Sequence, residues 1–230
     1  MTVPQWATGR QNARLTQVEA ATALGISQPY LSQLENGSRI GSPVLVRKAV
    51  ALYGLPPTAL PLPEPREPGA VGPDGLQREL AALDYPGFAH VLPEEKSNPA
   101  GVVFRALIQP DLDTRLVEAL PWVMSAYTDL DWLWLRDRAK LRNIQNRLGY
   151  VVYLAKDVVR SHTENSHEMQ TLSGWERDLE EARLAREDTL CRDSMPQAER
   201  SWLRIHRPPA AEHWNLLTGL TAEQLPYVTK

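Results

Sequence analysis

Apolar side chains recur every three or four positions along residues 15–39, a spacing that is typical of short amphipathic helices. Thr16 precedes Glu19 by three residues, and this spacing predicts a capping box at the start of a helix. Gly25 follows the last apolar position, where glycine can end a helix by adopting a positive φ without a steric penalty. The pattern therefore predicts a helix that begins after Thr16 and ends at Gly25.

A second helix is predicted directly after this turn. Ser27 is a suitable N-cap, and Pro29 falls in the first helical turn, where a missing backbone N–H has no cost. Gly37 is predicted to stop this helix. Helical spacing then assigns one apolar face of the two helices to a core, formed by Ala20, Leu24, Ile26, Leu31 and Leu34.

The opposite face of the second helix carries small or polar side chains, namely Gln28, Pro29, Ser32 and Gln33. Two short helices joined by a tight turn, with a polar outer face on the second, form the layout of a helix-turn-helix. In that motif the second helix enters the major groove of DNA. Glutamine can pair with N6 and N7 of adenine, and the small Ser32 lets the helix lie deep in the groove. The sequence therefore predicts a DNA-reading region.

Residues 1–60, here called the head, are predicted to contain five short helices. Pro43 and the apolar positions after it predict the fourth, and residues 57–60 predict a last helical turn. Seven prolines between residues 56 and 75 exclude a helix interior or a central strand there. We therefore interpret residues 61–75 as a semi-extended linker, and a proline-rich partner motif is the alternative.

Residues 76–230, here called the body, are predicted to be mostly helical, which makes the chain an all-α protein with a smaller and a larger domain. Gly101–Ile108 stays ambiguous, because its first half has strand propensity and its second half extends a helical pattern. Gly149 either weakens the longest predicted helix or marks close packing against a neighbour. The predicted helices cover residues 113–127, 131–155, 174–191, 195–205 and 210–217.

Charge is distributed unevenly between these regions. The 230 residues have a net charge of −3, but residues 1–60 contain five basic and two acidic residues, a net charge of +3. The remaining residues contain 20 basic and 26 acidic side chains, a net charge of −6. A basic head on an acidic body suits a protein whose head approaches phosphate groups while its body stays away from them.

The single cysteine, Cys191, excludes an intrachain disulfide and a multi-cysteine metal site, so we expect a structural thiol. No signal peptide opens the sequence, and no apolar stretch reaches the roughly 18 residues of a membrane span. We therefore expect a soluble, cytoplasmic protein that does not bind membranes.

Residues 8–60 resemble the Cro/CI-type helix-turn-helix family (the XRE family) and the heads of lambdoid phage repressors. The resemblance rests on Leu15-Thr16-Gln17 and Ser32-Gln33-Leu34-Glu35-Asn36-Gly37, in which polar identities match as well as apolar positions. It covers about a quarter of the chain. It implies a five-helix bundle that works as a dimer on a near-palindromic operator.

The resemblance also implies that Gln17 and the N-terminus of its helix anchor a DNA phosphate, for which the helix dipole and free N–H groups supply the reason. Pro29 departs from similar heads, which carry glutamine or serine at that position. Its side chain donates no hydrogen bond, but it can pack against a thymine methyl group. Residues after the recognition helix are expected to contact the DNA backbone and set the register. The predicted DNA-binding residues are Gln17, Gln28, Pro29, Ser32, Gln33, Asn36, Ser38, Arg39 and Lys48.

In similar heads an arginine of the first helix pairs with the glutamate before Asn-Gly. The resemblance therefore implies a structural ion pair between Arg10 and Glu35 in this chain. If the pair is buried, it fixes geometry more than it stabilises, since desolvation offsets most of the Coulomb attraction.

The body shows no comparable pattern. Its histidines lack the i,i+4 pairing of a zinc hydrolase, and it contains no glycine-rich phosphate loop, so no metal or cofactor is predicted. Acidic residues before apolar runs (Asp111, Asp113, Asp129 and Asp131) are interpreted as helix caps rather than paired catalytic carboxylates. The basic residues Arg136, Arg138, Lys140, Arg142 and Arg147 are interpreted as an ordinary charged face, with a second nucleic-acid surface as the alternative.

The body also contains six tryptophans, most of which we assign to its core: Trp122, Trp132, Trp134, Trp175, Trp202 and Trp214. Trp132 and Trp134 cannot both face one side of a helix, so a pocket or a subunit contact is the alternative for one of them.

These observations predict a sequence-specific transcriptional regulator, most simply an autorepressor that binds double-stranded DNA as a homodimer. The alternative is the antitoxin of a toxin–antitoxin pair, in which residues 76–230 bind a toxin or another protein partner. An enzyme is not expected, because the sequence contains no nucleophile–base or metal-binding constellation.

Overall fold

A computed structural model describes residues 3–55, 72–93, 97–162 and 167–227. The chain divides into two compact units, Met1–Pro65 and Arg66–Lys230, which contain the head and the body respectively. Both units are built from α-helices, and the described residues include two strands of two residues each. The predicted all-α class is therefore confirmed.

The described part of the head consists of four helices: α1 (Val3–Asn12), α2 (Gln17–Leu24), α3 (Gln28–Glu35) and α4 (Pro43–Tyr53). The predicted capping box starts α2, since Thr16 Oγ1 accepts a hydrogen bond from Glu19 N and Glu19 Oε2 accepts one from Thr16 N. Gly25 ends α2 at φ 72°, and the Ser27 side chain caps α3. The last helical turn predicted over residues 57–60 lies outside the described residues.

One hydrophobic core joins the four helices of the head. Ala20, Leu24, Leu31 and Leu34 are buried as predicted, and Ile26 packs partly buried against them. The other buried members come from α1, α2 and α4: Trp6, Ala21, Leu45, Val46, Ala49 and Tyr53. This core holds α2 and α3 together, and the polar face of α3 lies outside it.

Eight helices form the described part of the body: α5 (Pro73–Ala82), α6 (Pro99–Leu107), α7 (Thr114–Ala126), α8 (Trp132–Leu141), α9 (Gln145–His162), α10 (His167–Glu180), α11 (Gln197–His206) and α12 (Pro209–His213). The ambiguous Gly101–Ile108 segment is helical, within α6. α5 begins inside the predicted linker, at Pro73. Proline is tolerated at the first helical position because a backbone N–H there would have no acceptor within the helix. The linker prediction is therefore wrong for residues 73–75.

The long helix predicted over residues 131–155 is two helices. Asp131 caps α8 as predicted, accepting a hydrogen bond from Trp134 N, but α8 ends at Leu141. Asn143 then takes the left-handed conformation at φ 57°, which asparagine tolerates better than most residues, and α9 starts two residues later. The apolar period continues through this break, so the sequence pattern conceals it.

Two other helix predictions extend too far along the chain. The helix predicted over residues 174–191 begins earlier, at His167, and ends at Glu180. The helix predicted over residues 210–217 ends at His213, and Asn215 is left-handed at φ 53°. The remaining residues of the two segments include the short strands β1 (Asp188–Thr189) and β2 (Leu216–Leu217), which pair in parallel. This tertiary pairing replaces local helical hydrogen bonds.

Close packing explains the glycine inside α9. A Cβ atom built on Gly149 would overlap the indole ring of Trp214, which is 1 % exposed. Trp132 is also a core residue, stacked on Trp175 with ring centroids 4.8 Å apart, whereas Trp134 is half-buried. Trp202 differs from these residues, because 57 % of it is exposed.

A buried guanidinium ties four segments of the body together. Arg147 of α9 donates to the carbonyl oxygens of Leu107 and Gln109 and to the carboxylates of Asp188 and Asp193, at 2.7–3.1 Å. These bonds use all five N–H groups of the guanidinium. The interpretation of Arg147 as part of an ordinary charged face is therefore wrong, because its guanidinium is buried.

Next to this guanidinium lies the buried thiol of Cys191, and burial raises the pKa of that thiol to about 12. A neutral, inaccessible thiol is what a structural cysteine requires.

Candidate DNA-binding surface

The outer face of α3 presents the side chains that the sequence assigned to a DNA groove. Gln28, Pro29 and Gln33 are exposed, and Ser32 is half-buried between them and the core residues Leu31 and Leu34. Pro29 stands in the first turn of α3 and therefore does not interrupt its backbone hydrogen bonds. The four side chains form one short ridge on the head.

Gln28 is held in place by a residue of the neighbouring helix. Its Nε2 donates a hydrogen bond of 2.7 Å to Gln17 Oε1. A glutamine amide has two N–H groups and one carbonyl oxygen, so one N–H and the oxygen of Gln28 remain. These are the two groups that a bidentate contact to adenine requires. The hydrogen bond to Gln17 therefore orients the Gln28 amide on the surface of the head.

Gln17 in turn is held by Glu35, whose Oε2 accepts a hydrogen bond of 2.8 Å from Gln17 Nε2. Arg10 donates to the same carboxylate through Nε at 2.6 Å and Nη2 at 3.1 Å. The structure therefore joins Arg10 and Glu35, the pair that the resemblance implied. A hydrogen-bonded chain runs from Arg10 through Glu35 and Gln17 to Gln28, which sequence spacing alone does not reveal.

This chain is anchored in a largely desolvated ion pair, since the Arg10 and Glu35 side chains are 13 % and 8 % exposed. Burial by itself raises the pKa of Glu35, but hydrogen bonds from Arg10 and Gln17 and the charge of Arg10 lower that pKa more, so it lies below its ordinary value. The hydrogen bond to Glu35 raises the pKa of Arg10. Both groups are therefore ionised in the folded head at neutral pH.

Residues after α3 form the next part of this surface. Asn36 Oδ1 accepts a hydrogen bond of 3.0 Å from Ser38 N, which fixes a local turn. The Arg39 guanidinium lies 5.6 Å from the centre of the Tyr30 ring. The predictions did not include Tyr30, and its nine-residue separation from Arg39 carries no local signal. The aromatic ring holds an exposed cation beside the recognition helix.

The start of α2 offers fewer free donors than the resemblance implied. The capping box uses the N–H groups of Thr16 and Glu19, and it places the Glu19 carboxylate at the helix N-terminus. Gln17 already gives one side-chain N–H to Glu35, so one remains for a phosphate. Lys48 is exposed on α4, and no hydrogen bond of the described residues joins it to the other predicted DNA contacts.

The described residues show no competing metal site or membrane span. No group of three histidine, cysteine, aspartate or glutamate side chains within the described ranges could hold a metal ion. No helix in the same ranges is both long and apolar enough to cross a membrane. In the body, Asp113 and Asp131 cap α7 and α8, while Asp111 instead binds Ser194 N and Oγ.

Comparison with known proteins bears on the head. A family model described as a helix-turn-helix domain matches residues 8–62. Neither the curated proteins nor the solved structures gave a match. The matched range contains α2, the turn at Gly25 and α3, together with the polar ridge described above. The N-terminal part of this chain is therefore a helix-turn-helix DNA-binding domain of the XRE-like kind.

Proposed function

We propose that the protein is a sequence-specific transcriptional regulator, and more narrowly an autorepressor that binds a near-palindromic operator as a homodimer. The observation that carries this proposal is the pre-oriented Gln28 on the exposed ridge of α3, held by Gln17 at 2.7 Å. A reading side chain that is fixed before binding loses little conformational freedom in the complex, which favours specific recognition.

The surface supports a division of labour between reading and anchoring. Gln28, Pro29, Ser32 and Gln33 lie on the ridge and reach base edges, whereas Asn36, Ser38 and Arg39 follow the ridge and meet the phosphate backbone. Gln17 belongs to both groups, because it orients Gln28 and keeps one N–H for a phosphate. Lys48 adds a positive charge from α4.

In the proposed repressor the body pairs two subunits or receives a signal, and the two heads occupy half-sites about 34 Å apart, one helical turn of DNA. We propose as part of the same function that the protein acts by binding and not by catalysis, and that it acts in the cytoplasm. Light scattering of the full chain measures the proposed dimer directly.

The decisive test is selection of bound sequences from random DNA duplexes by the full chain. The proposal expects an enriched motif with two related halves, and a variant with Gln28→Ala and Gln33→Ala should lose the enrichment while it stays folded. A matched control is Arg177→Ala, an exposed residue of α10 in the body. Absence of any enriched motif, together with no binding at low salt, overturns the proposal.

Autorepression needs a separate measurement. A reporter gene placed behind the promoter of this protein's own gene should be expressed less when the full chain is present, and the Gln28→Ala variant should relieve that repression. A motif enriched in the selection but absent from this promoter would retain the regulator and reject autorepression.

A further inference from the structure

The body contains a polar cavity of about 300 Å³ that the proposed function does not use. It lies where the junction of α8 and α9 meets the segment between α10 and β1, and α11 closes one side. Its volume is at the lower end of the range for small-molecule sites. None of the described residues that line it is aromatic, and Ile144 and Leu184 provide its main apolar contacts.

Two arginines at this cavity have no described partner for their charge. Arg142 and Arg186 both line it and are exposed, and neither takes part in an ion pair or a side-chain hydrogen bond within the described ranges. The left-handed Asn143 directly after Arg142, at φ 57°, turns the chain sharply at this point. Two free guanidinium groups at one concave site form a positive field for an anion.

A third arginine is fixed in the wall. Arg200 donates from Nε to Met195 O at 3.0 Å and from Nη2 to Asp193 O at 2.7 Å. These bonds hold the guanidinium rigidly and leave its Nη1 group for another acceptor. The first turn of α9 also lines the cavity through Asn146 and Arg147, so the positive end of the helix dipole is close.

The acidic residues at the cavity are all ion-paired with arginines. Arg147 pairs with Asp188 and Asp193, and Arg204 pairs with Glu187 at 2.7 Å. Arg147, Arg204 and the three arginines Arg142, Arg186 and Arg200 together carry five positive charges against three carboxylates, so two positive charges remain in excess. Asp193 Oδ1 binds Arg147 and the Thr189 hydroxyl, which leaves Oδ2 as an acceptor for a ligand hydroxyl group.

The walls are preorganised by buried polar contacts. Asn146, which is 2 % exposed, exchanges two hydrogen bonds with the backbone of Leu184, at 2.8 and 2.9 Å. Asn215 donates a further bond to the Leu184 carbonyl at 2.7 Å. The segment that carries Arg186 is thus fixed against α9, and a ligand would meet a site that needs little rearrangement.

We propose that this cavity binds a small, polar phosphate ester, such as a sugar or polyol phosphate. A phosphoryl group carries up to two negative charges and three terminal oxygens, so three guanidinium groups can contact it from different sides, which a carboxylate cannot match. The acceptor on Asp193 takes a hydroxyl of the same ligand. The absence of aromatic lining residues within the described ranges disfavours a nucleotide base.

The test is calorimetric titration of the full chain with inorganic phosphate and with ribose 5-phosphate at constant ionic strength. Both should bind saturably, ribose 5-phosphate more tightly, and ribose should not bind. Arg142→Gln or Arg186→Gln should each weaken binding about tenfold, and the double variant about a hundredfold, since each removes a charged hydrogen-bonding fork.

Charge-matched controls make this result specific. Arg115→Gln with Arg177→Gln removes two exposed arginines of α7 and α10 away from the cavity, and it should leave binding unchanged. Lack of saturable binding at millimolar concentrations, or equal losses in both double variants, overturns the proposal. So does a third outcome, in which the Arg142/Arg186 variant loses affinity for DNA and the wild type binds neither anion, because these arginines would then contact nucleic acid.

Discussion

Removal of the Glu35 carboxylate should destabilise the head selectively. In Glu35→Ala three hydrogen bonds disappear, two from Arg10 and one from Gln17. Arg10 keeps one described acceptor, Leu15 O at 2.9 Å, and its charge stays in a site where the side chain is 13 % exposed. Breaking a buried pair on one side typically costs about 3–5 kcal/mol.

The lower end of this range is expected here, about 3 kcal/mol, because the exposed fraction of Arg10 lets its guanidinium reach some water after rotation. A folded unit of this size has a free energy of unfolding of roughly 3–9 kcal/mol. The substitution therefore removes a large part of the stability of the head, while the body keeps its own core.

Hydrogen exchange followed by mass spectrometry on the full chain separates these two effects. Peptides from α2 and α3 report on the head, and peptides from α7 and α9 serve as an internal control. A double variant, Arg10→Met with Glu35→Leu, removes both charges and should be more stable than Glu35→Ala. A loss below about 0.5 kcal/mol in the head peptides of Glu35→Ala would refute the assignment of a desolvated ion pair.

The same carboxylate gives the head an acid sensitivity of known sign. The folded-state pKa of Glu35 lies below its ordinary value, so the ionised carboxylate stabilises the folded head. This stabilisation is complete above the unfolded-state pKa, about 4.3, and is lost as pH falls through the folded-state pKa. Exchange protection in the head should therefore decrease below about pH 4, and less steeply in Glu35→Gln. Equal acid dependence in the two proteins would contradict this.

Three further substitutions test the DNA surface and the body. Gln28→Ala should weaken binding to the selected site by about 1–3 kcal/mol and relax one base position, whereas Arg39→Ala should weaken all sequences evenly and lower the salt slope by about one. Identical behaviour in competition binding at several salt concentrations would contradict the division between reading and anchoring. Gly149→Ala should destabilise the body by about 1–3 kcal/mol in thermal melts, because its Cβ overlaps Trp214. Gly174→Ala is the matched control in α10, where the added Cβ would have no packing neighbour within 4 Å outside the local helix backbone, and it should not destabilise the body.

Local signals predicted the head well. The Thr16 capping box and the left-handed Gly25 depend on neighbours within a few residues, so their sequence patterns predict the start and end of α2. The bond between Gln17 and Gln28 depends instead on the angle between two packed helices, which spacing does not specify. Sequence reasoning therefore found the participants of the site and missed the chain that orients them.

In the body the apolar period was a weaker guide. Ile144 and Leu148 continue the spacing of α8, so the break at Asn143 left no trace in the pattern. Arg147 resembles any surface base in the sequence, and its burial follows from partners up to 46 residues away. The antitoxin alternative stays a prediction. What the body recognises depends on contacts between segments that are distant in the sequence, and the sequence pattern does not specify these contacts.

The placement of Arg147 constrains how the body acquires its structure. Its guanidinium can find all of its acceptors only when the end of α6, the start of α9, β1 and the loop that follows it have come together. A half-assembled body would bury an unmatched charge, so intermediates that lack one of these segments are disfavoured. We expect residues 97–227 to melt in a single cooperative transition and to yield no protease-resistant subfragment.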